Sequence, residues 1–511
     1  MADSCVILTR GQVGWSGPAS EAGQEVIDRY LGEAEGATPA GIANGLSSPS
    51  FSILRVPSAL VPAWAVYPPS DTMHRRGAAE GPAGRETIDV RSKTGVVCLR
   101  RRAGAVLATA AAGLPMALVA ATPTPASAAP APITIAYISS LTGPGAAQDA
   151  DSPAGFEARI DLQNAEGGVH GHKLVPLVLD DQTNPSNIAT VVHEADSKAF
   201  SIVSQSPLLF LAAKYPNQAG VPVTGSYDDG PEWGTRPYTN MFASDEGSVN
   251  PAYPVNTQIG NFIKSHGGTV LGAYGYGISP SSTRAAVANA DSFKHAGGKV
   301  GVLDTSIPFG SVNFTSTALV AKQDGVNAIV PGMDANSNYA LAEALKQAGV
   351  KFKALFATGY GPDVIDSPAW SAVQGDYFLA LFRPWSLPNA GTEQMQAAME
   401  KYAGFTKSQF PSFGQYEAWA GADLMIKGLE MAGSNPTQAA VIKDLRSIKS
   451  YNANGLLPQS IDYATIFGHD LPKQCSWMMQ ANATGFSAVS SQPFCGTDLP
   501  GTSTANASSS S

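Results

Sequence analysis

The chain has 511 residues, more than one ordinary domain, and 44% of them are hydrophobic, enough to bury more than one core. A formal net charge of -9 argues against a nucleic acid or an anionic membrane surface as partner, because phosphate binding needs clustered Lys and Arg. Charged residues make up only 14%, and with abundant Gly and Ser this composition leans toward an exported protein.

Met1 to about Thr94 is rich in Ala, Gly, Pro and Ser and carries no sustained helix or strand period. Residues 1–94 are therefore expected to be disordered or to precede the true translation start, which would lie near Val90, Val96 or Val97. Arg100, Arg101 and Arg102 then precede an apolar run from Ala103 to Ala121, and Ala126-Ser127-Ala128 follows as a small-residue cleavage site. A basic flank, an apolar core and small side chains are the parts of a signal peptide, placed here at 95–128 with cleavage after Ala128. Pro115 and the Ala/Gly content weaken a permanent anchor, the rival reading being a cytosolic tail ahead of an uncleaved span. Cys98 lies before the apolar run, and no cysteine occupies the lipid-modification position after it. A free exported protein, periplasmic or extracellular, is expected.

Beyond Ala128, short β-branched runs alternate with helical patterns, the signature of an α/β protein with parallel sheets. Ile133–Ile138 reads as a strand. Ala154–Ala165 reads as a helix with Phe156 and Ile160 on one face, stopped by Gly167 and Gly168. Lys173–Leu179 is the next strand, Asn184–Ala199 a helix with Pro185 in its first turn, Ser201–Ser204 a strand, Leu208–Ala219 a helix and Val221–Thr224 a strand. A second series follows from Val249: helix Tyr253–His266, strand Val270–Tyr274, helix Ser282–Ala296, strand Lys299–Asp304 and helix Thr315–Gln323. Strand Ala328–Pro331, helix Asn338–Gln347 and strand Ala354–Ala357 complete it. Met395–Tyr402 and Ala418–Ala432 supply further helices. The end, 496–511, is Ser/Thr/Gly-rich and is expected to be disordered. Two consecutive βα series suggest two similar lobes.

Only Cys475 and Cys495 remain after cleavage, and an exported chain with two cysteines invites one disulfide. Closing a loop of about 20 residues would add roughly 3 kcal/mol on the chain-entropy estimate. Two unpaired buried thiols are the alternative.

Three stretches carry a specific likeness: Ile133–Ala146 (ITIAYISSLTGPGA), Asn164–Pro185 (NAEGGVHGHKLVPLVLDDQTNP) and Ala219–Ser226 (AGVPVTGS). In order and spacing they resemble the opening lobe of the leucine/isoleucine/valine-binding family of type I periplasmic binding proteins, the substrate-binding components of ABC transporters. Val326–Lys351, Phe413–Ser434 and Cys475–Gln480 resemble later segments of that family. The resemblance implies two doubly wound parallel-sheet lobes joined by a three-crossover hinge, with crossovers near Met241–Asp245, Asp376–Phe382 and Ser447–Leu456. Residues 133–244 plus 379–449 would form one lobe, and residues 246–375 plus 456–495 the other. It also implies a non-enzymatic receptor that closes on a small ligand and delivers it to permease and ATPase subunits. An extracellular ligand sensor of the same fold is the alternative.

Ligands of open parallel sheets sit outside the carboxyl ends of the strands. In the first lobe those exits carry Thr142, then Ser204, Gln205 and Ser206, then Thr224, Ser226 and Tyr227. By position in the family, Ser204, Ser206, Thr224 and Ser226 inherit contacts to a ligand carboxylate and amine; the plainer reading is that these hydroxyls only cap helices. In the second lobe the exits carry Tyr276, Asp334 and Tyr360. The family's acidic partner for a ligand ammonium is missing near Tyr360 unless Asp363 reaches in or Asp334 substitutes, so amides, organic acids and larger apolar acids join the amino acids as candidate ligands.

His170, His172 and His193 could suggest a metal, but the first two fall in the family's glycine turn, and no metal is expected. Asp180 and Asp181 could suggest acid/base work, yet at a strand end they are expected to fix loop geometry. Trp233 and Tyr238 either wall the cleft or pack. With no nucleophile elbow, P-loop or dinucleotide fingerprint, no cofactor is expected.

Overall fold

The computed structural model describes residues 4–9, 12–18, 130–226, 232–233, 236–245, 255–467, 473–500 and 502. The chain divides into two units, 1–118 and 119–511. The proposed leader and its cleavage site lie outside the described residues, as do Tyr227 and most of the C-terminal tail.

In the first unit, β1 (Ser4–Thr9) and β2 (Gln12–Pro18) pair as an antiparallel hairpin. No regular structure was expected there. The strands are short and apolar at Val6, Ile7, Val13 and Trp15, with only Arg10 and Gly11 between them, a local pairing too brief for a periodicity search over longer windows.

The second unit holds two sheets. The first is all parallel in the order β4-β3-β5-β6-β7, from β3 (Ile133–Ser139), β4 (Leu174–Asp180), β5 (Ser201–Ser204), β6 (Val223–Gly225) and β7 (Met241–Ala243). The second runs β14-β13-β12-β11-β10-β8-β9. It uses β8 (Val270–Tyr276), β9 (Lys299–Ile307), β10 (Ala328–Gly332), β11 (Lys353–Phe356) and β12 (Tyr377–Ala380) in parallel. Antiparallel β13 (Cys475–Asn482) and β14 (Gly485–Ala488) extend it, and β15 (Phe494–Cys495) pairs with β13. Cys475 and Cys495 face each other across that last pairing and form a disulfide.

The chain passes between the sheets three times: after β7, after β12, and again before β13. Leu379 and Ala380 pair with Met478 and Trp477 in the second sheet, so the division placed at Leu379 falls inside a strand.

Helix Phe413–Met431 is buried along most of its length, which a helix can be only if apolar or small on every side. Small residues let it seat deeply. A Cβ on Gly421 would stand 2.7 Å from Val203 of β5, and one on Gly155 would stand 2.2 Å from the Gln415 carbonyl. The apolar interior runs on into the second lobe through Tyr360, whose ring lies 5.8 Å from Phe413, and through the stacked pair Phe382 and Tyr416.

Several helix bounds differ from the sequence reading for capping reasons. Asp334, Asn389 and Ser412 each accept from a backbone N–H one turn ahead, so the helices start at Ala335, Ala390 and Phe413, earlier than their apolar period shows. The Asn184–Ala199 helix begins only at Ile188. Gln182 and Thr183 adopt positive φ of 61° and 51°, and Asn184 closes its own turn, leaving Pro185 ahead of the helix rather than in its first turn. The Leu208–Ala219 helix is broken into a 3-10 turn, Leu209–Leu211, and a helix, Lys214–Ala219.

Candidate functional site

The loops at the carboxyl ends of both parallel sheets meet. Asn336 Nδ2, in the first turn of helix Ala335–Gln347, donates to the carbonyl of Pro144 in the loop after β3, at 2.6 Å. A Cβ on Gly310, after β9, would stand 3.0 Å from Pro144 Cβ. This is the crevice in which the ligand residues were expected.

On the first-lobe side, Ser204, Gln205, Ser206 and Ser226 are buried together, with the Ser226 N–H on the Ser204 carbonyl at 3.1 Å. Asp181 organises them: it accepts from Ser140 Oγ (2.7 Å), from the Thr183 N–H (2.7 Å) and from Ser206 Oγ. Burial raises its pKa, and the Ser206 and Ser140 hydroxyls oppose that shift. Gln205 accepts from Tyr137 OH at 2.7 Å and donates to Asp149 at 3.0 Å. Ser226 Oγ donates to Asp245 at 3.4 Å.

The hydroxyls of two other expected residues bond within the protein. Thr224 Oγ1 donates at 2.7 Å to the carbonyl of Gly421 and so fastens helix Phe413–Met431 to its sheet. Thr142 is exposed, and its hydroxyl donates to Asp180 at 2.6 Å. Asp180 also accepts from the N–H groups of Leu141, Thr142 and Gln182. Desolvation works to raise its carboxyl, but the four donors together outweigh it and hold it below the ordinary value. Asp180 and Asp181 thus pin loops.

On the second-lobe side, Tyr276 OH donates to Asp334, and Asp334 Oδ1 accepts the Ser337 N–H at 3.0 Å as the cap of its helix. Both Asp334 oxygens are therefore engaged within the protein. Tyr276 packs against Phe309, the two rings tilted with centroids 4.9 Å apart. Tyr360 is fully buried among Phe413, Trp385 and Phe486, and its carbonyl accepts the Phe413 N–H at 2.8 Å. Asp363 is exposed on the next short helix.

Sequence reading missed Asp149 and Glu417. Both are buried: Gln205 bridges Asp149 to Tyr137, and Glu417 lies near Tyr137 and Tyr360. Burial raises the pKa of both hydroxyls, with Asp149 and Glu417 adding to the shift on Tyr137 and Tyr416 and Glu417 to that on Tyr360. A lone acid inside the buried run Tyr416–Ala420 was the available signal for Glu417.

The remaining candidates pack or bond within the protein. Trp233 and Tyr238 pack into the first-lobe core. His170 and His172 bond the carbonyls of Glu430 and Ser434 near the end of helix Phe413–Met431, and His193 packs against Tyr215. Among the described residues, no group of three His, Cys, Asp or Glu is arranged to hold a metal ion. A cavity of about 410 Å³ lined by Trp385, Glu393, Gln396, Glu400 and Lys407 lies against helix Ala390–Tyr402, with Trp385 also packed on Tyr360. Among the described residues no helix is long and apolar enough to cross a membrane.

The model of the family described as "periplasmic binding protein" matches residues 132–486. The Leu/Ile/Val-binding protein homolog 3 of Brucella melitensis is 26% identical over 336 residues, covering 63% of this chain and 86% of its own. The fold is shared with a branched-chain amino acid transporter substrate binding protein of Streptococcus pneumoniae in complex with isoleucine (TM-score 0.57, 17% identity, 71% of this chain and 99% of that one). It is also shared with a fatty acid ABC transporter substrate-binding protein of Thermomonospora curvata (TM-score 0.58, 16% identity, 71% and 92%).

Proposed function

Since the chain belongs to the periplasmic binding protein family, we propose that it is an extracytoplasmic solute-binding protein that closes on a small ligand and presents it to an ABC permease and its ATPase. The observation that carries this reading is the meeting of strand-exit loops from two parallel sheets, marked by Asn336 on Pro144. A ligand between those edges touches both lobes only when they are together, so binding shifts the population toward the form a transporter can recognise.

Ser204, Gln205, Ser206 and Ser226 from one lobe and Tyr276 from the other are the contacts we assign, with Thr142 at the rim. Glu417 is the buried acid near Tyr360, and Asp149 the one beside the Gln205 side chain; acids so placed are consistent with a ligand that carries an amino group, since a desolvated ammonium needs such a neighbour. The ligand class we favour is therefore a branched-chain amino acid, with a related amide or organic acid as the next choice. Asp180 and Asp181 are fixed in loop networks, which supports binding without turnover. Residues 95–128 would direct export, with cleavage after Ala128. Residues 133–244 and 246–375 would form the bulk of the two lobes.

The test is a thermal-shift series with isoleucine, valine, leucine, an aliphatic amide and a fatty acid, since a ligand that binds only the folded state raises its melting temperature. A concentration-dependent rise with isoleucine or valine is expected. A response to the fatty acid alone would replace the ligand class, and silence from every probe would remove the reading.

A further inference from the structure

We propose that Phe309 and Asn336 form a clasp between the lobes at the mouth of the cleft, determining how long a ligand is retained without belonging to its binding contacts. The loop after β9, residues 308–314, reaches over from the second lobe. On its own side it is anchored twice: the Phe309 ring lies 4.9 Å from that of Tyr276, and Ser337 Oγ donates to the Ser311 carbonyl at 2.7 Å.

On the other side Phe309 packs against the first-lobe apolar cluster that contains Leu208 and Leu209. Gly310 lies against Pro144 so closely that a Cβ would come within 3.0 Å of its ring, and the φ of +71° there disfavours any side chain. Asn336 completes the set with its 2.6 Å bond to the Pro144 carbonyl. These contacts join protein atoms to protein atoms, so they add to the closed form a fixed stabilisation independent of which solute is bound. Removing them lowers the closed-to-open ratio and speeds solute escape, leaving the first-lobe hydroxyl network unchanged.

Loss of the Asn336 bond should lower that ratio about fivefold, and loss of the half-buried Phe309 ring about tenfold. The experiment is hydrogen exchange read by mass spectrometry on the full chain without added solute, following peptides over 140–148 and 308–316 in wild type, N336A, F309A and V312A. Faster exchange at 140–148, on the opposite lobe from the substitution, is expected in N336A and F309A. V312A, whose side chain is 68% exposed on the same loop, should match wild type.

Unchanged exchange at 140–148 in N336A overturns the clasp; this variant removes a partly exposed side chain and so carries the test even where F309A folds poorly. With isoleucine as probe, dissociation should be about fivefold faster from N336A than from wild type. The retention part rests on the solute-binding reading. A wild-type chain that does not bind isoleucine counts against that ligand class, while the exchange result still decides the clasp.

Discussion

Asp376 offers a measurement of burial uncoupled from the cleft. The residue is 2% exposed just ahead of β12, and its Oδ1 accepts the Ala354 N–H at 2.9 Å while Oδ2 has no hydrogen-bond partner among the described residues. Burial pushes the carboxyl up to about 7, with the Ala354 N–H and the charges of Lys346 and Lys353 opposing. Against an ordinary value of 3.8 this is about three pKa units, or roughly 4 kcal/mol as a ceiling for the penalty of the ionised form. The folded pKa is raised, so the stability tied to the bound proton is fully present below 3.8 and is lost as pH climbs through about 7. Asp376→Asn keeps the acceptor for Ala354 and removes the charge, but it places an amide N–H where no acceptor bonds Oδ2, at a cost of about 1–3 kcal/mol. The net expectation is a variant more stable than wild type by about 1–3 kcal/mol at pH 8, with the advantage shrinking toward pH 4. Urea unfolding at both pH values measures it. A variant less stable than wild type at pH 8, or a difference that does not change with pH, refutes the reasoning.

His172 should make stability depend on pH in the neutral range. Its Nε2 and Nδ1 lie 2.9 Å and 2.6 Å from the carbonyls of Ser434 and Ala131, which only accept, so the pair favours the doubly protonated ring and raises its pKa above 6.5. The contribution is present below pH 6.5 and lost as pH rises through the folded value; melting curves from pH 5 to 8 should show a slope that His172→Gln flattens. Gly155→Ala should destabilise by about 1–3 kcal/mol, read as a lower denaturant midpoint, because its Cβ would stand 2.2 Å from the Gln415 carbonyl. Replacing Cys475 and Cys495 together by Ser should lower stability by about 3 kcal/mol for a 20-residue separation, measured against the oxidised wild type.

Much of the architecture was legible before any coordinates. The alternation of β-branched runs with 3.6-residue apolar periods is a local property, so every strand expected between Ile133 and Ala357 is present, usually within a few residues of its expected ends. Helix starts were less legible, since a capping side chain such as Asp334 or Ser412 belongs to the turn before the apolar period begins. The C-terminal strands β13 to β15 were absent from the reading apart from the Cys475–Gln480 likeness; they pair locally with each other but join the sheet only through β12, about a hundred residues earlier in the chain.

The site separated along the same line. By itself the sequence determined which hydroxyls and aromatics stand at strand exits, because those positions follow from where each strand ends. It could not determine what each one touches. Ser204, Ser206 and Thr224 look alike in the sequence, yet Ser206 meets Asp181 from the exit of β4, on the far side of β3, and Thr224 turns to the Gly421 carbonyl, 197 residues away. Asp334 looked free to meet an ammonium, and folding gave it Tyr276, 58 residues upstream. Phe309 and Asn336 carried no local signal, since their importance lies in Pro144 and Leu208 on the other lobe. A hydrogen bond depends on ångström distances between atoms that the chain order leaves unrelated, and only tertiary packing, within each lobe and between the two, decides those distances.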